Sequence, residues 1–203
     1  GKAVAGVVDR VVFGPFAAPG DVVDVQVYKK TLSYYEGKVV KTHKDSALRV
    51  QPECDHFGLC GGCKWQHLAY ETQLHYKQKQ VKDAIERIAK VPYKEFLQVI
   101  RSEKQYYYRN KLEYTFSNHR WLLQEEADSG LPVENTDALG FHVPGRFDKV
   151  VDINHCYLQG DPSNEIRNVL RDIVRKKNAS FYDPKTNEGL LRNLIVRTSS
   201  LNE

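Results

Sequence analysis

Cys54-Asp55-His56-Phe57-Gly58-Leu59-Cys60-Gly61-Gly62-Cys63 is the stretch from which the rest of the chain can be read. It holds three of the four cysteines in C-x5-C-x2-C spacing, and the fourth, Cys156, lies far along the chain. The glycine pair between Cys60 and Cys63 lets the backbone turn tightly enough to aim both sulfurs at one centre. With Pro52 before it and three glycines inside it, the segment 51–66 reads as a loop organised by something other than a hydrophobic core. Four thiolates suit a [4Fe–4S] cluster or a tetrahedral zinc ion. Two disulfides are a competing reading, but nothing in the sequence indicates secretion, and cytosolic thiols stay reduced. Four unrelated buried cysteines are the bland alternative. Zinc sites more often pair two C-x2-C knuckles and only one is present, so spacing alone leaves iron–sulfur and zinc both open.

Outward from this loop the chain changes character on each side. Residues 1–50 predict a small all-β unit. The segments 3–13, 21–28 and 35–42 are rich in valine and aromatics, and 47–50 adds a short candidate strand. Gly14-Pro15, Pro19-Gly20 and the polar segment 29–33 supply the turns between them. Short strands closing on one another in this way predict an OB-like β-barrel. After the loop, 67–90 predicts a helix with Leu74, Val81, Ile85 and Ile88 on one face. Lys77, Lys79, Lys82 and Arg87 lie on the other face, and Pro92 ends it. Residues 96–160 predict a mixed region with strands at 96–100, 109–116, 140–143 and 150–153, and an acidic loop or short helix at 124–137. A helix follows at 163–177, with Asp161 or Ser163 as N-cap and Ile166, Val169, Leu170, Ile173 and Val174 turned inward. The segment 190–198 reads as a strand. The fold class is α+β, divided into a barrel at 1–50 and a mixed α/β domain at 51–203 that carries the cysteine site.

Composition narrows the function classes. The 203 residues are 41% hydrophobic and 28% charged, a soluble globular balance. No segment approaches the ~20 apolar residues of a membrane helix, and the first residues lack the basic-then-apolar pattern of a secretory leader. A net charge of +4 is compatible with a polyanionic partner and equally with an ordinary basic surface. Methionine is absent, so the chain is expected to be a piece of a longer protein, and a motif missing here need not be missing from the parent. A cytoplasmic monomer is the default expectation.

Several motifs together resemble one family. Cys54-x5-Cys60-Gly61-Gly62-Cys63 followed by Trp65-Gln66 and a basic helix resembles the iron–sulfur motif of the bacterial 23S rRNA (uracil-5-)-methyltransferases. Gly1-Lys2-Ala3-Val4-Ala5, Val12-Phe13 and Ala18-Pro19-Gly20-Asp21-Val22-Val23 resemble the TRAM domain of that family. Tyr108-Arg109-Asn110-Lys111 is similar to its Tyr-Arg-x-Lys/Arg strand. Gly140-Phe141-His142 through Val151-Asp152-Ile153 and Cys156 are similar to its Gly-Phe…Val-Asp…Cys segment. Leu191-Arg192-Asn193-Leu194-Ile195-Val196-Arg197 resembles the strand that leads toward its methyltransferase domain. The resemblance covers nearly the whole chain in the family's order. It implies a TRAM barrel, a [4Fe–4S] cluster on Cys54, Cys60, Cys63 and Cys156, and RNA, with 23S rRNA preferred, as the partner. It also implies that the Rossmann-like domain with the S-adenosylmethionine site, the cysteine nucleophile and the general base lies beyond this chain. No residue here is therefore expected to be catalytic.

Candidate RNA contacts combine cations with aromatic faces: Lys2, Phe13, Lys64, Trp65, Arg109, Lys111, Arg146, Arg192 and Arg197. Each has a structural alternative. Trp65 is expected to pack against the cysteine loop rather than stack on a base. Arg109 and Lys111 alternate with Glu113 on one strand face, and Arg192 and Arg197 have acidic neighbours to pair with. At least one of Tyr106, Tyr107 and Tyr108 is expected in the core, because adjacent strand residues face opposite ways. His56 and His155 sit beside the cysteines and are candidates to hydrogen-bond a sulfur; for these, as for His67, His75 and His142, a packed or surface role is the plainer expectation. Two other functions compete. A radical iron–sulfur RNA-modifying enzyme needs C-x3-C-x2-C with one iron left open, and here the spacing is x5 with a fourth cysteine available. A non-enzymatic zinc-dependent RNA-binding module is the other.

Overall fold

The structure is a computed structural model and describes residues 2–7, 9–133 and 135–199. The chain divides into two compact units. One gathers Gly1–Glu53 with Lys64–Glu103, the other Cys54–Cys63 with Lys104–Glu203. The segment after the cysteine loop is thus grouped with the first sheet, and the loop itself with the second.

The first unit is built on a four-stranded sheet in the order β1-β2-β4-β3, from β1 (Lys2–Val7), β2 (Arg10–Pro15), β3 (Val22–Lys30) and β4 (Tyr34–Lys44). β1 and β2 form an antiparallel hairpin, β2 runs parallel to β4, and β3 pairs antiparallel with β4. The β3–β4 ladder slips at Val22/Val23, Asp24/Val25 and Val27/Lys29, and such bulges increase the local twist. Among the described residues no ladder joins β1 to β3, so the sheet is open where the sequence predicts a closed barrel. The strand expected at 47–50 reduces to a single bridge between Arg49 and Leu68. One carboxylate fastens the base of this sheet. Asp21 accepts from the N–H groups of Ala18 (2.6 Å) and Ser46 (2.9 Å) and from Arg49 Nε (2.9 Å) and Nη2 (2.6 Å).

α1 (Tyr70–Asp83) follows and widens into a π-helical segment at Ala84–Ala89, ending at Lys90 in the left-handed conformation. Neither segment has a fully buried residue. Of the expected inward face, Leu74 and Ile85 are half-buried, while Val81 and Ile88 are exposed. The strand expected at 96–100 does not form. Its apolar segment lies beside α1 instead, with Val99 N–H donating to Gln78 Oε1 at 3.0 Å and Ser102 N–H to the Tyr70 hydroxyl at 2.7 Å. A strand needs a neighbouring ladder to satisfy its backbone, and none is present at 96–100.

The second unit has an all-antiparallel sheet in the order β7-β6-β5-β8. Its strands are β5 (Lys111–Ser117), β6 (Ala138–His142), β7 (Val150–Asp152) and β8 (Asn193–Arg197), with α2 (Gln124–Asp128) and α3 (Ser163–Lys176) between them. β5 alternates as its sequence requires: Leu112, Tyr114 and Phe116 are buried and Lys111 and Glu113 are exposed. Those three join Leu139, Val151, Ile153, Leu158, Val174, Phe181 and Val196 in one core that also contains Cys60 and Cys156. Each large apolar side chain so buried contributes roughly 1.5–3 kcal/mol.

α3 forms where predicted but is rolled about its axis. Its buried residues are Ser163, Asn164, Arg167, Arg171 and Val174, whereas Ile166, Val169 and Ile173 are exposed. The reason is polar. Asp152 and the carbonyls of Ile153 and Asn154 leave β7 facing the helix, and arginines spaced four apart reach them. The helix N-cap position falls on Pro162, and Asp161 accepts the Asn164 N–H at 3.2 Å. Among the described residues no helix is long and apolar enough to cross a membrane.

Candidate metal centre

The loop from Cys54 to Cys63 is a series of tight turns. Phe57 N–H donates to Cys54 O at 2.9 Å, Leu59 and Cys60 N–H both donate to His56 O, and Gly61 N–H reaches His142 O at 2.9 Å. That last bond docks the loop on the end of β6. A Cβ at Gly61 would lie 2.6 Å from the His142 carbonyl oxygen, and one at Gly62 would meet Cys60 Sγ at 3.4 Å and the Phe141 ring at 3.7 Å. The glycine pair therefore makes room for the sheet edge and for a sulfur. Gly62 N–H donates to Cys60 Sγ at 3.4 Å, the kind of backbone bond that stabilises a thiolate.

Cys156 enters from the other side. It follows β7 and is held by Asn164 on α3, whose Oδ1 accepts the Cys156 N–H at 2.8 Å and whose Nδ2 donates to the Cys156 carbonyl at 3.3 Å. His56 accepts the Asn154 N–H on Nε2 at 3.2 Å, linking the loop to the same approach. Cys60 and Cys156 are buried, Cys54 and Cys63 half-buried, and no disulfide joins any of them.

The four thiols share one electrostatic environment. Burial pushes the Cys60 thiol up to about 12, and negative charge on Cys63, Cys156 and Cys54 adds to that. Burial also raises Cys156, with Cys63 and Cys54 adding and Arg167 opposing, and it raises Cys54, with Cys63 adding. Every pair among the four is thus within electrostatic reach. Among the described residues, however, no group of three or more His, Cys, Asp or Glu side chains is arranged to hold a metal ion.

His56 and His155, candidates to hydrogen-bond a sulfur, make other bonds, in line with the packed role that is the plainer expectation. His155 packs at 4.5 Å from the Tyr157 ring, and its Nε2 lies 3.2 Å from the Tyr107 hydroxyl. Tyr106 is half-buried and Tyr107 and Tyr108 are exposed, so none of the three is core. Tyr107 has a left-handed backbone, φ 56°, not strand geometry. Trp65 belongs to the first unit, where its carbonyl accepts from Gln73 Nε2 at 3.2 Å.

Candidate RNA contacts fall into separate groups. In the first unit Lys2 is paired with Glu36, and Phe13 packs edge-on against Tyr34 at 5.5 Å. Lys2, Lys64, Trp65, Lys79 and Arg87 line a valine-rich concavity of about 1050 Å³. In the second unit Lys111 and Arg197 stand directly opposite each other on β5 and β8, both exposed. Lys111 Nζ lies 3.4 Å from Glu113. Arg109, just before β5, lies 6.0 Å from the Tyr108 ring. Arg192 stacks on Tyr182 at 4.6 Å, and Arg146 is exposed in the β6–β7 turn beside exposed Phe147. Sequence reading missed the polar face of α3: Asn164, Arg167, Arg171 and Arg175. Its signal was the four-residue spacing of the three arginines, a stripe as regular as the apolar one beside it.

No family model matches the chain. It is 50% identical over its whole length to an uncharacterised RNA methyltransferase of Bacteroides thetaiotaomicron, covering 45% of that protein. It is 47% identical to one of Porphyromonas gingivalis, covering 100% of the chain and 45% of the relative, and 44% identical to one of Chlorobaculum tepidum, covering 92% and 39%. The chain therefore spans under half the length of these relatives. Among solved structures it resembles Pyrococcus abyssi tRNA (uracil-54, C5)-methyltransferase in complex with S-adenosyl-L-homocysteine. The TM-score is 0.63 at 26% identity, over 95% of this chain and 39% of that one. Sequence and fold together make this chain similar, along essentially its full length, to part of the bacterial RNA methyltransferases and of a tRNA uracil-C5 methyltransferase.

Proposed function

We propose that this chain is the RNA-binding and iron–sulfur portion of an S-adenosylmethionine-dependent RNA (uracil-5-)-methyltransferase. The first unit supplies a TRAM-like module, centred on residues 1–50, and 51–203 is the cluster-bearing domain. The substrate is RNA, with 23S rRNA preferred on the four-cysteine resemblance, and the protein works as a cytoplasmic monomer. The observation that carries the reading is that Cys60 and Cys156 lie in one core with Cys63 packed against it, the cysteine loop being docked on β6 through Gly61 and Cys156 held by Asn164, in a chain similar throughout to RNA methyltransferases.

The donor set suits a [4Fe–4S] cluster. Buried thiols that repel one another's negative charge need a cationic centre to hold them as thiolates. A single zinc, with Zn–S ~2.3 Å, would need sulfurs only ~3.8 Å apart. A cluster of several irons spreads its four thiolates more widely. Cys54, Cys60, Cys63 and Cys156 would hold it, and it would supply a cross-link between the loop on β6 and the segment after β7. Methyl transfer to uracil C5 moves no net electrons, so this role is architectural. In the reaction the parent protein is proposed to catalyse, a cysteine thiolate adds to C6 and C5 takes the methyl group of S-adenosylmethionine. A base then removes the C5 proton and the thiolate leaves. Those groups lie outside this chain, whose task is to hold folded RNA while the target base leaves its stack.

The test is iron, sulfide and zinc analysis with a visible spectrum of the full-length protein purified without air. About four irons and four sulfides per chain with a broad visible absorbance support the proposal. One zinc with no such absorbance overturns the cluster and leaves the zinc-dependent RNA-binding module.

A further inference from the structure

Tyr107 carries a left-handed backbone, φ 56°. That conformation is an outlier for an aromatic residue and persists only where the surroundings over-determine it. Here they do. Tyr107 N–H donates to the Tyr157 carbonyl at 2.7 Å and Arg109 N–H to the Leu158 carbonyl at 2.8 Å, fastening 107–109 along the segment that follows β7. The Tyr107 hydroxyl lies 3.2 Å from His155 Nε2. Ring centroids are 5.9 Å apart for Tyr107 and Tyr157, 4.5 Å for His155 and Tyr157, and 5.9 Å for Tyr106 and Tyr157.

An aromatic residue fixed in this way for packing alone would be buried. Tyr157 and His155 are half-buried, whereas Tyr107 is 42% exposed and the adjoining Tyr108 is 53% exposed. The cluster therefore anchors Tyr107 by its N–H, its hydroxyl and its neighbouring rings and still leaves much of it open to solvent. A ring held like this loses little freedom when something stacks on it.

The charge around the cluster has one sign. The segment 104–112 carries Lys104, Arg109 and Lys111 and no carboxylate, and 154–160 carries no Asp, Glu, Lys or Arg. The Arg109 guanidinium lies 6.0 Å from the Tyr108 ring. Glu113, the next carboxylate along β5, is engaged by Lys111 at 3.4 Å and by Asn193 Nδ2 at 3.0 Å. Exposed aromatic faces beside cations, with no acid among them, match an unpaired nucleotide: the base stacks on the ring and the phosphate meets the cation. A base inside a duplex has no free face to offer.

We propose that Tyr107, braced by Tyr157 and His155, is a stacking platform for one unpaired base of RNA, with Arg109 set to take an adjoining phosphate. The inference rests on the RNA-binding reading above and deepens it, committing this face to single-stranded or looped RNA. It stands whether the four cysteines hold iron or zinc.

The experiment is filter binding of the full-length protein to a short oligouridylate and to an RNA duplex of the same length, for wild type, Y107N and Y107F. Asparagine accepts a left-handed backbone, so Y107N removes the ring without straining the chain. Y107N is expected to weaken binding of the single strand about fivefold or more and to leave duplex binding and the salt slope unchanged, while Y107F binds as wild type does. A second measurement needs no variant: photo-cross-linking of wild type to the oligouridylate carrying 5-iodouridine, mapped by peptide mass spectrometry, is expected to mark Tyr107 or Tyr157. If Y107N does not fold, the cross-link decides. Single-strand binding by Y107N equal to wild type, equal losses on strand and duplex, Y107F as weak as Y107N, or cross-links confined to residues outside 104–109 and 155–157 would each overturn the platform. Wild type that binds neither RNA overturns the RNA-binding reading itself, and shows before any variant is compared.

Discussion

Asn164 holds Cys156 by both of its backbone polar groups, accepting the N–H at 2.8 Å and donating to the carbonyl at 3.3 Å. No apolar side chain of similar size can do this, and both residues are buried. Asn164→Ala is expected to cost about 2–4 kcal/mol, the sum of two buried groups left without partners. Asn164→Asp keeps the acceptor, loses the donor and should fall between. Urea unfolding of the second unit's signal measures both. An unchanged midpoint for Asn164→Ala would show that other interactions position Cys156.

The two glycines between Cys60 and Cys63 are predicted to differ in tolerance. A methyl at position 61 meets the His142 carbonyl oxygen at 2.6 Å, whereas one at position 62 meets Cys60 Sγ at 3.4 Å. Gly61→Ala must push the loop off the end of β6 and should cost about 1–3 kcal/mol, with reduced iron content. Gly62→Ala should be milder in stability. Equal melting temperatures for the two variants would count against the docking of Gly61 on His142.

The turn-rich loop from Cys54 to Cys63 was legible in the sequence because glycines at tight cysteine spacing are a local signal that tertiary context rarely overrides. β5 was legible for the same reason: Leu112, Tyr114 and Phe116 alternate with Lys111 and Glu113. α3 was legible as a helix but not in its orientation. Two stripes, Ile166/Val169/Ile173 and Arg167/Arg171/Arg175, compete for the interior, and periodicity favours the apolar one. The carboxylate of Asp152 and the carbonyls of Ile153 and Asn154 reverse that choice, and their position is a property of the folded sheet. The segment 96–100 failed for another reason, since strand propensity without a neighbouring ladder makes no strand.

Asp21 sets a pH dependence for the first unit. Burial alone would raise its pKa, but hydrogen bonds from Arg49 and from the N–H groups of Ala18 and Ser46 outweigh burial and lower it from 3.8 to about 2. The folded-state value lies below the unfolded one, so as pH falls the unfolded chain takes up the proton first. The stabilisation is complete above the unfolded value of 3.8 and drains away between there and about 2. The stability gap between wild type and Asp21→Asn should therefore stay constant from about pH 7 to about pH 5 and shrink through that acid window. Chemical denaturation at several pH values reads it directly. A gap that does not narrow would mean that Asp21 is not held ionised by Arg49.

Lys111 and Arg197 stand opposite each other across β5 and β8, an arrangement that destabilises a sheet in isolation. Glu113, 3.4 Å from Lys111 Nζ, offsets part of the repulsion, but Arg197 has no such partner among the described residues. If the pair serves RNA phosphates, neutralising either residue separates stability from binding. Lys111→Gln and Arg197→Gln should leave folding unchanged or slightly more stable. Each should also lower the salt dependence of RNA binding by about 0.7 in the log–log slope for every single-strand phosphate that is no longer neutralised. The measurement is filter binding of the full-length protein to a uridine-containing stem-loop across a salt series, beside thermal melts of both variants. A smaller slope at equal or higher stability assigns the pair to RNA. An unchanged slope with a gain in stability would leave these two cations as a solvated face and move the RNA interface elsewhere, the concavity lined by Lys2, Lys64 and Trp65 being the next surface to test.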